Sequence, residues 1–536
     1  MPHTAPQPAA QTPIEWWRGA AIYQIYPRSF FDSNGDGIGD LAGITAKLDH
    51  IASLGVEAIW ISPFFTSPMV DFGYDVADYC DVDPIFGTLA DFDALVARAH
   101  ALGLKVTIDQ VYAHTSDLHP WFGQARADRA NPKADWYVWH DPKPDGTPPC
   151  NWQSVFGGPA WTWDARRGQY YLHTFLKEQP QLNVHNPAVQ DALLAAAKFW
   201  LDRGVDGFRL DALNHAMHDP LFRDNPPAPA DDGKPRTRPF DFQDKLYSQS
   251  HPDVVSFIRR IRALCDDYGA IFTVAEVGGA KVDEEMKVYT AGCTHLSSAY
   301  GFAFLYAPEL TPQLVLDTLA KWPGAPGEGW PSWAFDNHDA PRSVSRWAAP
   351  GLHAEFARME TALLVALRGN IFVYQGQELA LEQDDIPFHL LQDPEAIANW
   401  PQTLSRDGVR TPLPWTSGAH GGFTSGTPWL PLSQGNIMRA VAVQEADPGS
   451  QLHWTRAMLA LRKASPALRM GRLEHGVAKG NLLGFDRVAG GEAWRCRFNL
   501  GVQPIPLTDA AGEVVLTVNG AAPTLLPAYG ALFTRL

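Results

Sequence analysis

Strand and helix patterns alternate along most of this chain, and that alternation limits the fold more than any other feature. Amphipathic helix patterns at residues 41–54 and 88–103 each separate two short apolar segments. A β-α-β-α order is typical of a parallel sheet covered by helices. Eight strand candidates joined by loops of very unequal length favour a closed (β/α)8 TIM barrel over an open doubly wound sheet. These candidates are residues 21–26, 58–62, 104–110, 206–211, 271–275, a segment near 295–298, 333–335 and 371–374.

Two interruptions of the alternation divide the chain. Residues 114–175 are rich in Trp, Pro, Gly and Asp, and we interpret them as a subdomain B inserted after the third strand. At residues 471–536 short strand patterns predict a C-terminal antiparallel β-domain. The barrel is then assigned to residues 14–113 and 176–470. Residues 1–13, rich in Pro, Ala and Gln, are assigned to a loose tail.

The fourth strand candidate carries charge where a buried strand would normally be apolar. Its alternation directs Phe208 and Leu210 to one face, towards the helices, and Arg209 and Asp211 to the other. A guanidinium and a carboxylate on the inner face of a core strand cost free energy unless they pair. We therefore interpret Asp211 as a catalytic carboxylate that Arg209 holds ionised.

Acidic residues and histidines recur where the strand candidates end. The carboxyl-terminal ends of barrel strands meet at one mouth, where barrels of this type do their chemistry. We therefore expect these side chains to lie around one site, whereas any one of them alone would more often be a cap or a turn residue. They are Asp109, His114, Asp211, Glu276, His338 and Asp339.

A segment after the first strand has the spacing of a calcium loop. Oxygen ligands at alternate positions, with glycines that permit a tight wrap, match the first nine positions of an EF-hand loop. The twelfth position is Gly43 rather than Glu, so the segment is a fragment of such a loop. We predict a structural Ca²⁺ site, with Mg²⁺ as the alternative, formed by Asp32, Asn34, Asp36, the carbonyl of Ile38, and Asp40.

Composition excludes several classes of partner. The chain has 59 acidic and 43 basic residues and a net charge of −16, which repels nucleic acid and anionic lipid. Five scattered cysteines without a CxxC pair indicate reduced thiols. Because there is neither an apolar signal segment nor a run of about 20 apolar residues, we expect a cytoplasmic protein without a membrane partner. No organic cofactor is expected, and a monomer and a homodimer both remain open.

Several ordered motifs resemble the α-amylase-type glycoside hydrolases, and most closely the α-glucosidase and oligo-1,6-glucosidase branch. The resemblance covers roughly residues 15–536. Each short motif is weak alone, but their order is specific. The motifs are Asp109-Gln110-Val111-Tyr112-Ala113-His114, Gly207-Phe208-Arg209-Leu210-Asp211, Glu276-Val277-Gly278 and Phe335-Asp336-Asn337-His338-Asp339, with Gly73-Tyr74-Asp75, Gln179-Pro180-Gln181-Leu182-Asn183 and Arg410-Thr411-Pro412-Leu413-Pro414-Trp415 as subgroup markers.

The resemblance implies a role for each matching residue. Asp211 would be the nucleophile, Glu276 the general acid and base, and Asp339 the carboxylate that binds sugar hydroxyls and stabilises the transition state. The implied substrate-binding residues are Arg209, which orients the nucleophile, His114 and His338 in the first subsite, Phe156 and Phe175 along the pocket, and Asp75 and Arg410 as a pair that closes it.

These roles imply a retaining exo-acting α-glucosidase, because a pocket closed at one end admits only a terminal glucose. Its substrates would be short α-glucosides such as maltose or sucrose. Transfer of glucose to another sugar, isomerisation, or oligo-1,6-glucosidase activity would use the same residues and stays open.

Two positions depart from the family pattern. Ala113 stands where the family usually has an Asn that ties down a second calcium site, so no metal is expected there. Ala212 follows the proposed nucleophile where strict 1,6-specific relatives usually have Val. The smaller side chain favours α-1,4 or mixed linkage preference.

Two functions from other classes fit the sequence less well. A non-catalytic transporter partner would lack the catalytic carboxylates and carry a membrane helix, whereas Asp211, Glu276 and Asp339 are all present. A metal hydrolase would need closely spaced histidines of the H-x-H or HExxH type, and the sequence has neither.

Overall fold

The computed structural model describes residues 15–230, 236–279, 281–322, 329–403, 405–508 and 511–536, so the predicted tail at 1–13 lies outside the described residues. The strands are β1 (Ala21–Ile25), β2 (Ala58–Ile61), β3 (Phe65–Thr66), β4 (Asp78–Val82), β5 (Lys105–Val111), β6 (Trp139–His140), β7 (Trp161–Asp164), β8 (Gln169–Leu172), β9 (Gly207–Asp211), β10 (Phe272–Val277), β11 (Ser298–Gly301), β12 (Ser332–Trp333), β13 (Asn370–Tyr374), β14 (Arg472–Lys479), β15 (Leu482–Ala489), β16 (Glu492–Asn499), β17 (Ile505–Pro506), β18 (Glu513–Val518), β19 (Leu525–Leu526) and β20 (Ala531–Arg535). The α-helices are α1 (Leu41–Leu54), α2 (Leu89–Ala101), α3 (Pro120–Ala127), α4 (Pro187–Leu201), α5 (Val254–Asp266), α6 (Val282–Tyr289), α7 (Pro312–Ala320), α8 (Ser343–Trp347), α9 (His353–Ala366), α10 (Pro394–Asn399), α11 (Gln434–Ile437), α12 (Val441–Glu445), α13 (Gln451–Ala464) and α14 (Pro466–Met470).

Eight parallel strands form a ring in the order β1, β2, β5, β9, β10, β11, β12 and β13. β13 pairs with β1, so the sheet returns to its first strand. Between β11 and β12 the ladder is reduced to one parallel bridge, Ala299 with Pro331, beside a 2.7 Å contact between the hydroxyls of Ser298 and Ser332. The ring closes, which confirms the predicted (β/α)8 barrel.

The inward and outward faces of β9 follow the predicted alternation. Phe208 and Leu210 are fully buried in the core between the ring and its helices. Arg209 is also fully buried, but inside the ring, with its guanidinium 5.2 Å from the ring centre of Trp60. Gly207 leaves room for the flanking strands, because a Cβ there would lie 2.8 Å from the Phe272 carbonyl and from the Thr107 hydroxyl.

The sixth barrel strand lies later in the chain than predicted. The pattern indicated a strand near residues 295–298, whereas β11 begins at Ser298. Before that point the chain bonds to a side chain, because the Ser297 amide donates to the Thr273 hydroxyl at 2.9 Å. Ladder pairing with β10 therefore begins only where Ser298 lies beside Val274.

The segment between β5 and α4 forms a small layer of its own. Its antiparallel sheet has the order β6-β8-β7. Phe122 of α3 stacks on Trp139 with ring centres 5.6 Å apart and meets Tyr171 edge-on at 5.4 Å. The aromatic residues that interrupt the sequence pattern therefore form a local core beside the mouth of the barrel.

A second antiparallel sheet ends the chain, with strand order β14-β15-β16-β20-β18 and the small pair β17-β19 beside it. It packs on helices α7, α9 and α14 of the barrel. Arg487 of β15 is buried there and donates to the carbonyls of Ala366, at the end of α9, and Gly471, the latter at 2.9 Å. The barrel and the C-terminal sheet thus share buried hydrogen bonds.

The five cysteines are free thiols, as expected. Within the described ranges, no helix combines the length and apolarity that crossing a membrane requires.

Candidate active site

A cavity of about 600 Å³ opens where the barrel strands end. The strand-end residues Asp211, Glu276 and Asp339 reach it together, although the loops that follow β9, β10 and β12 are far apart in sequence. His114, Phe156 and Phe175 also line the cavity, whereas Arg209, His338 and Arg410 lie behind its wall.

Arg209, inside the barrel, contacts the carboxylates of Asp211 and Glu276. Its Nη1 lies 2.5 Å from an oxygen of Asp211 and its Nη2 lies 2.7 Å from an oxygen of Glu276. Nη1 also lies 2.8 Å from Asp109, while Nε and Nη2 donate to the Tyr300 hydroxyl at 3.1 and 2.9 Å. These contacts satisfy a guanidinium that is wholly removed from water, as a buried charge requires.

Arg209 contacts Glu276 as well as Asp211, so its positive charge acts on both carboxyls. Glu276 also accepts from the Tyr300 hydroxyl at 3.2 Å and from the Ala212 amide at 3.1 Å. Ala212 has a φ of 40°, in the left-handed region, and this turn aims its amide across to Glu276.

Burial is the largest influence on the pKa values of Asp211 and Glu276. It raises the pKa of Asp211 to about 7, against the opposing effect of Arg209, and the charges of Asp109 and Asp339 add to the rise. Burial likewise raises the pKa of Glu276 to about 7, with Arg209 again opposing and Asp211 adding. Two coupled carboxyls with raised pKa values share a proton near neutral pH, which is the condition for one acid and one base.

The pKa of Asp339 is shifted in the opposite direction, below its usual range. Burial alone would raise its pKa, but His338 and the guanidinium groups of Arg410 and Arg406 outweigh burial and hold it well below its usual range. The nearest contacts are Arg410 Nη2 at 2.8 Å and His338 Nε2 at 3.2 Å. Asp339 is therefore ionised at neutral pH.

His338 is neutral and held in one tautomer. Burial lowers its pKa to about 3. The Gln24 amide donates to Nδ1 at 2.8 Å, so the ring proton is assigned to Nε2, which faces Asp339 and lies 2.6 Å from the Tyr74 hydroxyl. At neutral pH the positive charge that faces Asp339 therefore belongs to the two arginines, and His338 adds its own charge only at a pH below about 3.

The predicted pair Asp75–Arg410 does not form. Asp75 accepts instead from the Ser67 hydroxyl and from the amides of Val70 and Asp71, at 2.9 to 3.0 Å, and so holds a turn together. Arg410 donates to the His338 carbonyl at 2.7 Å and pairs with Asp339.

A different ion pair lies in the cavity wall, formed by Asp71 and Arg406 at 3.3 Å. Arg406 also pairs with Asp393 at 2.7 Å and lies 5.0 Å from the ring centre of Phe156. Both residues stand four positions before the predicted pair. Neither residue belongs to the quoted motifs, and the only sequence signal for them is a residue of the same charge four positions before each motif residue.

Aromatic rings and a histidine form another wall. Phe175 lies 5.2 Å from His114 and 5.6 Å from Phe156, ring centre to ring centre. His114 is buried, its pKa is lowered to about 4 by burial, and its Nε2 contacts the Tyr74 carbonyl at 3.1 Å. An apolar wall with a neutral histidine suits the C–H face and hydroxyls of a sugar.

The loop from Asp32 to Asp40 lies away from this cavity and is closed by its own hydrogen bonds. Asp32 accepts from the amides of Asn34, Gly35 and Gly37, at 2.7 to 3.0 Å, and from the Thr424 hydroxyl. Asp40 caps α1 through the Gly43 amide at 2.6 Å and also bonds to Ser33. Free lone pairs remain on Asp36, Asn34 and the Ile38 carbonyl, so the oxygen donors suit Ca²⁺ or Mg²⁺ while the loop is already closed by hydrogen bonds.

Comparison with known proteins agrees with this geometry. The α-amylase catalytic domain family matches residues 24–471. A probable α-glucosidase of Rhizobium meliloti is 53% identical over 97% of both chains, and an oligo-1,6-glucosidase of Parageobacillus thermoglucosidasius is 36% identical over 84% of both. The crystal structure of XgtA, an α-glucosyl transfer enzyme, superposes with a TM-score of 0.93 at 49% identity, covering 98% of this chain and 100% of that one. The chain belongs to the α-amylase family of glycoside hydrolases, in its α-glucosidase branch.

Proposed function

We propose that this protein is a retaining exo-α-glucosidase that releases glucose from the non-reducing end of short α-glucosides such as maltose or sucrose. The observation that supports this most is that the two Nη atoms of Arg209 contact Asp211 and Glu276, which brings both carboxyls to one point of the cavity. Retention needs two such carboxyls about 5–5.5 Å apart, one ionised and one protonated.

In the first step the Asp211 carboxylate attacks the anomeric carbon while Glu276 gives its proton to the glycosidic oxygen. The carbon–oxygen bond breaks, the aglycone leaves, and an ester links Asp211 to the sugar. Glu276, now ionised, then takes a proton from water, whose oxygen attacks the same carbon. This releases glucose, restores the Asp211 carboxylate and leaves Glu276 protonated again.

The surroundings stabilise the charge that develops on the sugar ring. Asp339 is ionised in the cavity wall and faces the same space as the reacting pair. A fixed negative charge close to an oxocarbenium-like transition state lowers its free energy more than that of the neutral substrate. We assign Asp339 to this role and to binding of the sugar hydroxyls.

Exo action follows from the closed end of the cavity. Asp71 and Arg406 pair across it, and Asp393 holds Arg406 from the other side. A polymer cannot pass through such a wall, so only a terminal glucose would reach Asp211. Steady release of larger oligosaccharides from starch would contradict this proposal.

The decisive experiment uses isosteric variants. We expect Asp211→Asn and Glu276→Gln each to lower kcat on maltose by a factor on the order of 10⁴ or more, with unchanged thermal stability. Asp206→Asn, at the opposite end of the same strand region, is the matched control and should stay active. NMR of the first product should show glucose as the α-anomer. Near-native turnover in either variant, or β-glucose as the first product, would refute the mechanism.

A second candidate is transfer of the glucosyl group to another sugar or alcohol. It is favoured by the similarity to the α-glucosyl transfer enzyme and by an open groove of about 680 Å³ that shares Thr237, Arg238 and Gln402 with the cavity. Such a groove could hold an acceptor beside the ester. Product analysis at high maltose concentration separates the two, since hydrolysis yields only glucose and transfer yields trisaccharides.

Linkage preference is proposed from Ala212. Its side chain lies in the cavity wall directly after Asp211, and it leaves more space for the leaving group than the valine of 1,6-specific relatives. We propose α-1,4 or mixed preference. Maltose turned over far more slowly than isomaltose would contradict it.

A further inference from the structure

Two histidines and an aspartate meet outside the cavity. His185 lies just before α4, and His251 and Asp253 lie just before α5. The Nδ1 atoms of His185 and His251 lie 3.7 and 3.6 Å from the same carboxylate oxygen, Oδ2 of Asp253. One ligand atom from each residue lies within 4.8 Å of the other two. None of the three lines the cavity.

The hydrogen bond that His185 makes through Nε2 leaves the lone pair on its Nδ1 free. Its Nε2 lies 2.8 Å from the carbonyl oxygen of His218, which can only accept, so Nε2 carries the proton. A neutral imidazole then has its free lone pair on Nδ1, which is the atom that faces Asp253. A backbone carbonyl that accepts from the far nitrogen is the usual support of a metal-binding histidine.

His251 also has its unprotonated nitrogen, Nδ1, on the side of Asp253. The Asp253 amide donates to its Nδ1 at 3.3 Å, a long bond that identifies Nδ1 as an acceptor. The lone pair of His185 Nδ1 and the Asp253 carboxylate therefore face each other with no proton between them, and a cation could recruit His251 Nδ1 by replacing its long contact with the Asp253 amide.

The Asp253 side chain is also not used for capping. Asp253 is the N-cap residue of α5, where an aspartate usually accepts from the first-turn amides, yet its side chain makes no capping hydrogen bond. The side chain is 63% exposed, so an ion and its water ligands could reach it from solvent.

We propose that His185, His251 and Asp253 bind a divalent transition-metal ion of the zinc class, with solvent completing the coordination. Two imidazole nitrogens and one carboxylate suit Zn²⁺, whereas Ca²⁺ and Mg²⁺ prefer oxygen ligands only. Zinc bonds of about 2.0–2.1 Å in tetrahedral geometry place neighbouring ligands about 3.4 Å apart. The two contacts to Asp253, at 3.6 and 3.7 Å, are close to this spacing, and all three ligand atoms, which lie within 4.8 Å of one another, would move closer together around the ion.

Such an ion would join the beginnings of two barrel helices. It would also fix the end of the long segment between β9 and α5, which carries Gln249 in the cavity wall two residues before His251. We therefore expect it to raise thermal stability without entering the chemistry, because its ligands lie outside the cavity.

The test uses the full chain, purified without a histidine tag, stripped with EDTA and then held in excess Ca²⁺ so that the oxygen loop is supplied. Calorimetric titration with Zn²⁺ should show one site of micromolar or tighter affinity, and Zn²⁺ should raise Tm by several degrees. Co²⁺ in its place should give the intense visible bands of a tetrahedral site with nitrogen ligands.

Three variants remove one ligand each. His185→Gln can still donate to the His218 carbonyl, and Asp253→Asn changes an exposed side chain that makes no capping hydrogen bond, so both should fold. Together with His251→Gln they should bind Zn²⁺ about tenfold or more weakly, lose the Tm shift and keep full turnover. His389→Gln, an exposed histidine elsewhere, should behave as the parent. Absence of micromolar Zn²⁺ binding in the parent, or equal binding in the variants, would overturn the proposal.

Discussion

At the scale of single residues, Arg209 determines the chemistry of the cavity. One guanidinium contacts Asp109, Asp211 and Glu276, so the three carboxyls are coupled through it. Asp109 does not line the cavity and is a positioning residue. Burial raises its pKa to about 6, and above that pH its negative charge opposes ionisation of Asp211.

Replacement of Asp109 should therefore shift the pH profile. In Asp109→Asn the opposing charge is gone and Arg209 is free to bind Asp211 more fully, so the pKa of Asp211 falls. Since Asp211 must be ionised to attack, the acid limb of kcat/KM should move to lower pH by about one unit. The measurement is kcat/KM against pH, with exposed Asp49→Asn as the control. An acid limb that stays in place or moves upward would count against this coupling.

Two aspartates four positions apart should respond differently to the same change. Asp71→Asn weakens the pair with Arg406 in the cavity wall, so KM for maltose should rise about ten- to a hundredfold, the loss expected for a charged hydrogen bond, while Tm changes little. Asp75→Asn should instead lower Tm by several degrees with little effect on KM, because Asp75 holds a turn. The reverse pattern in steady-state kinetics and calorimetry would favour the pair that the motifs predict, Asp75 with Arg410.

These residues also show what sequence can predict about the site. The charged inner face of β9 follows from a two-residue period, so the positions of Arg209 and Asp211 on that face are predictable from the pattern alone. The choice between Asp71 and Asp75, or between Arg406 and Arg410, depends on the path of two irregular loops, and neither loop has a period. Pairing between residues that are 335 positions apart is set by the tertiary fold alone.

At the scale of elements, the loop from Asp32 to Asp40 illustrates how a motif and its surroundings combine. The spacing of its oxygen atoms predicts a cation, and its hydrogen bonds show a loop that already holds its shape. Thr424, far along the chain, donates to Asp32 and thereby joins the loop to the segment after β13.

We propose that this loop binds Ca²⁺, and removal of the ion should then have a moderate effect. We expect EDTA to lower Tm by a few degrees and added Ca²⁺ to restore it, while the protein stays folded and active at low temperature. Differential scanning calorimetry with and without Ca²⁺ is the measurement. In Asp36→Ala the response to Ca²⁺ should disappear, because that carboxylate keeps free lone pairs. A Tm that ignores both EDTA and Ca²⁺ would show that the loop holds no structural ion.

Element positions were largely predictable where the pattern is periodic. α1 begins and ends where the amphipathic pattern indicated, because its apolar positions face the core and Asp40 caps its first turn. β11 begins three residues after the start of the predicted segment, since side-chain bonds between Ser297 and Thr273 replace the ladder there. A hydropathy pattern does not show where side-chain hydrogen bonds replace the backbone pairing of a strand.

At the scale of the whole molecule, the C-terminal sheet is joined to the barrel by buried polar contacts as well as by apolar packing. Arg487 satisfies the last carbonyl of α9 and the carbonyl of Gly471, which precedes β14. Both carbonyls would lose this donor if the guanidinium were removed, and an unsatisfied buried carbonyl costs about 1–3 kcal/mol.

Arg487→Ala should therefore destabilise both parts together. We expect Tm to fall by several degrees in one cooperative transition, with unchanged kcat at low temperature because the site lies at the other end of the barrel strands. Calorimetry with activity loss on the same temperature scale is the measurement, and exposed Arg472→Ala is the control. Two separate transitions, with the barrel melting as in the parent, would show that the sheet is an independent unit.

The ring of strands has one thin seam. Between β11 and β12 a single backbone bridge and one contact between two serine hydroxyls join the strands, in place of a continuous ladder of backbone hydrogen bonds. Since fewer backbone hydrogen bonds join β11 to β12 than join most other neighbouring strands, we expect local opening of the ring to begin at this seam. Phe302, directly after β11, and Tyr306 stand at the cavity beside this seam. We expect such an opening to displace these two rings, and so to affect departure of the aglycone more than the position of Asp211 on β9.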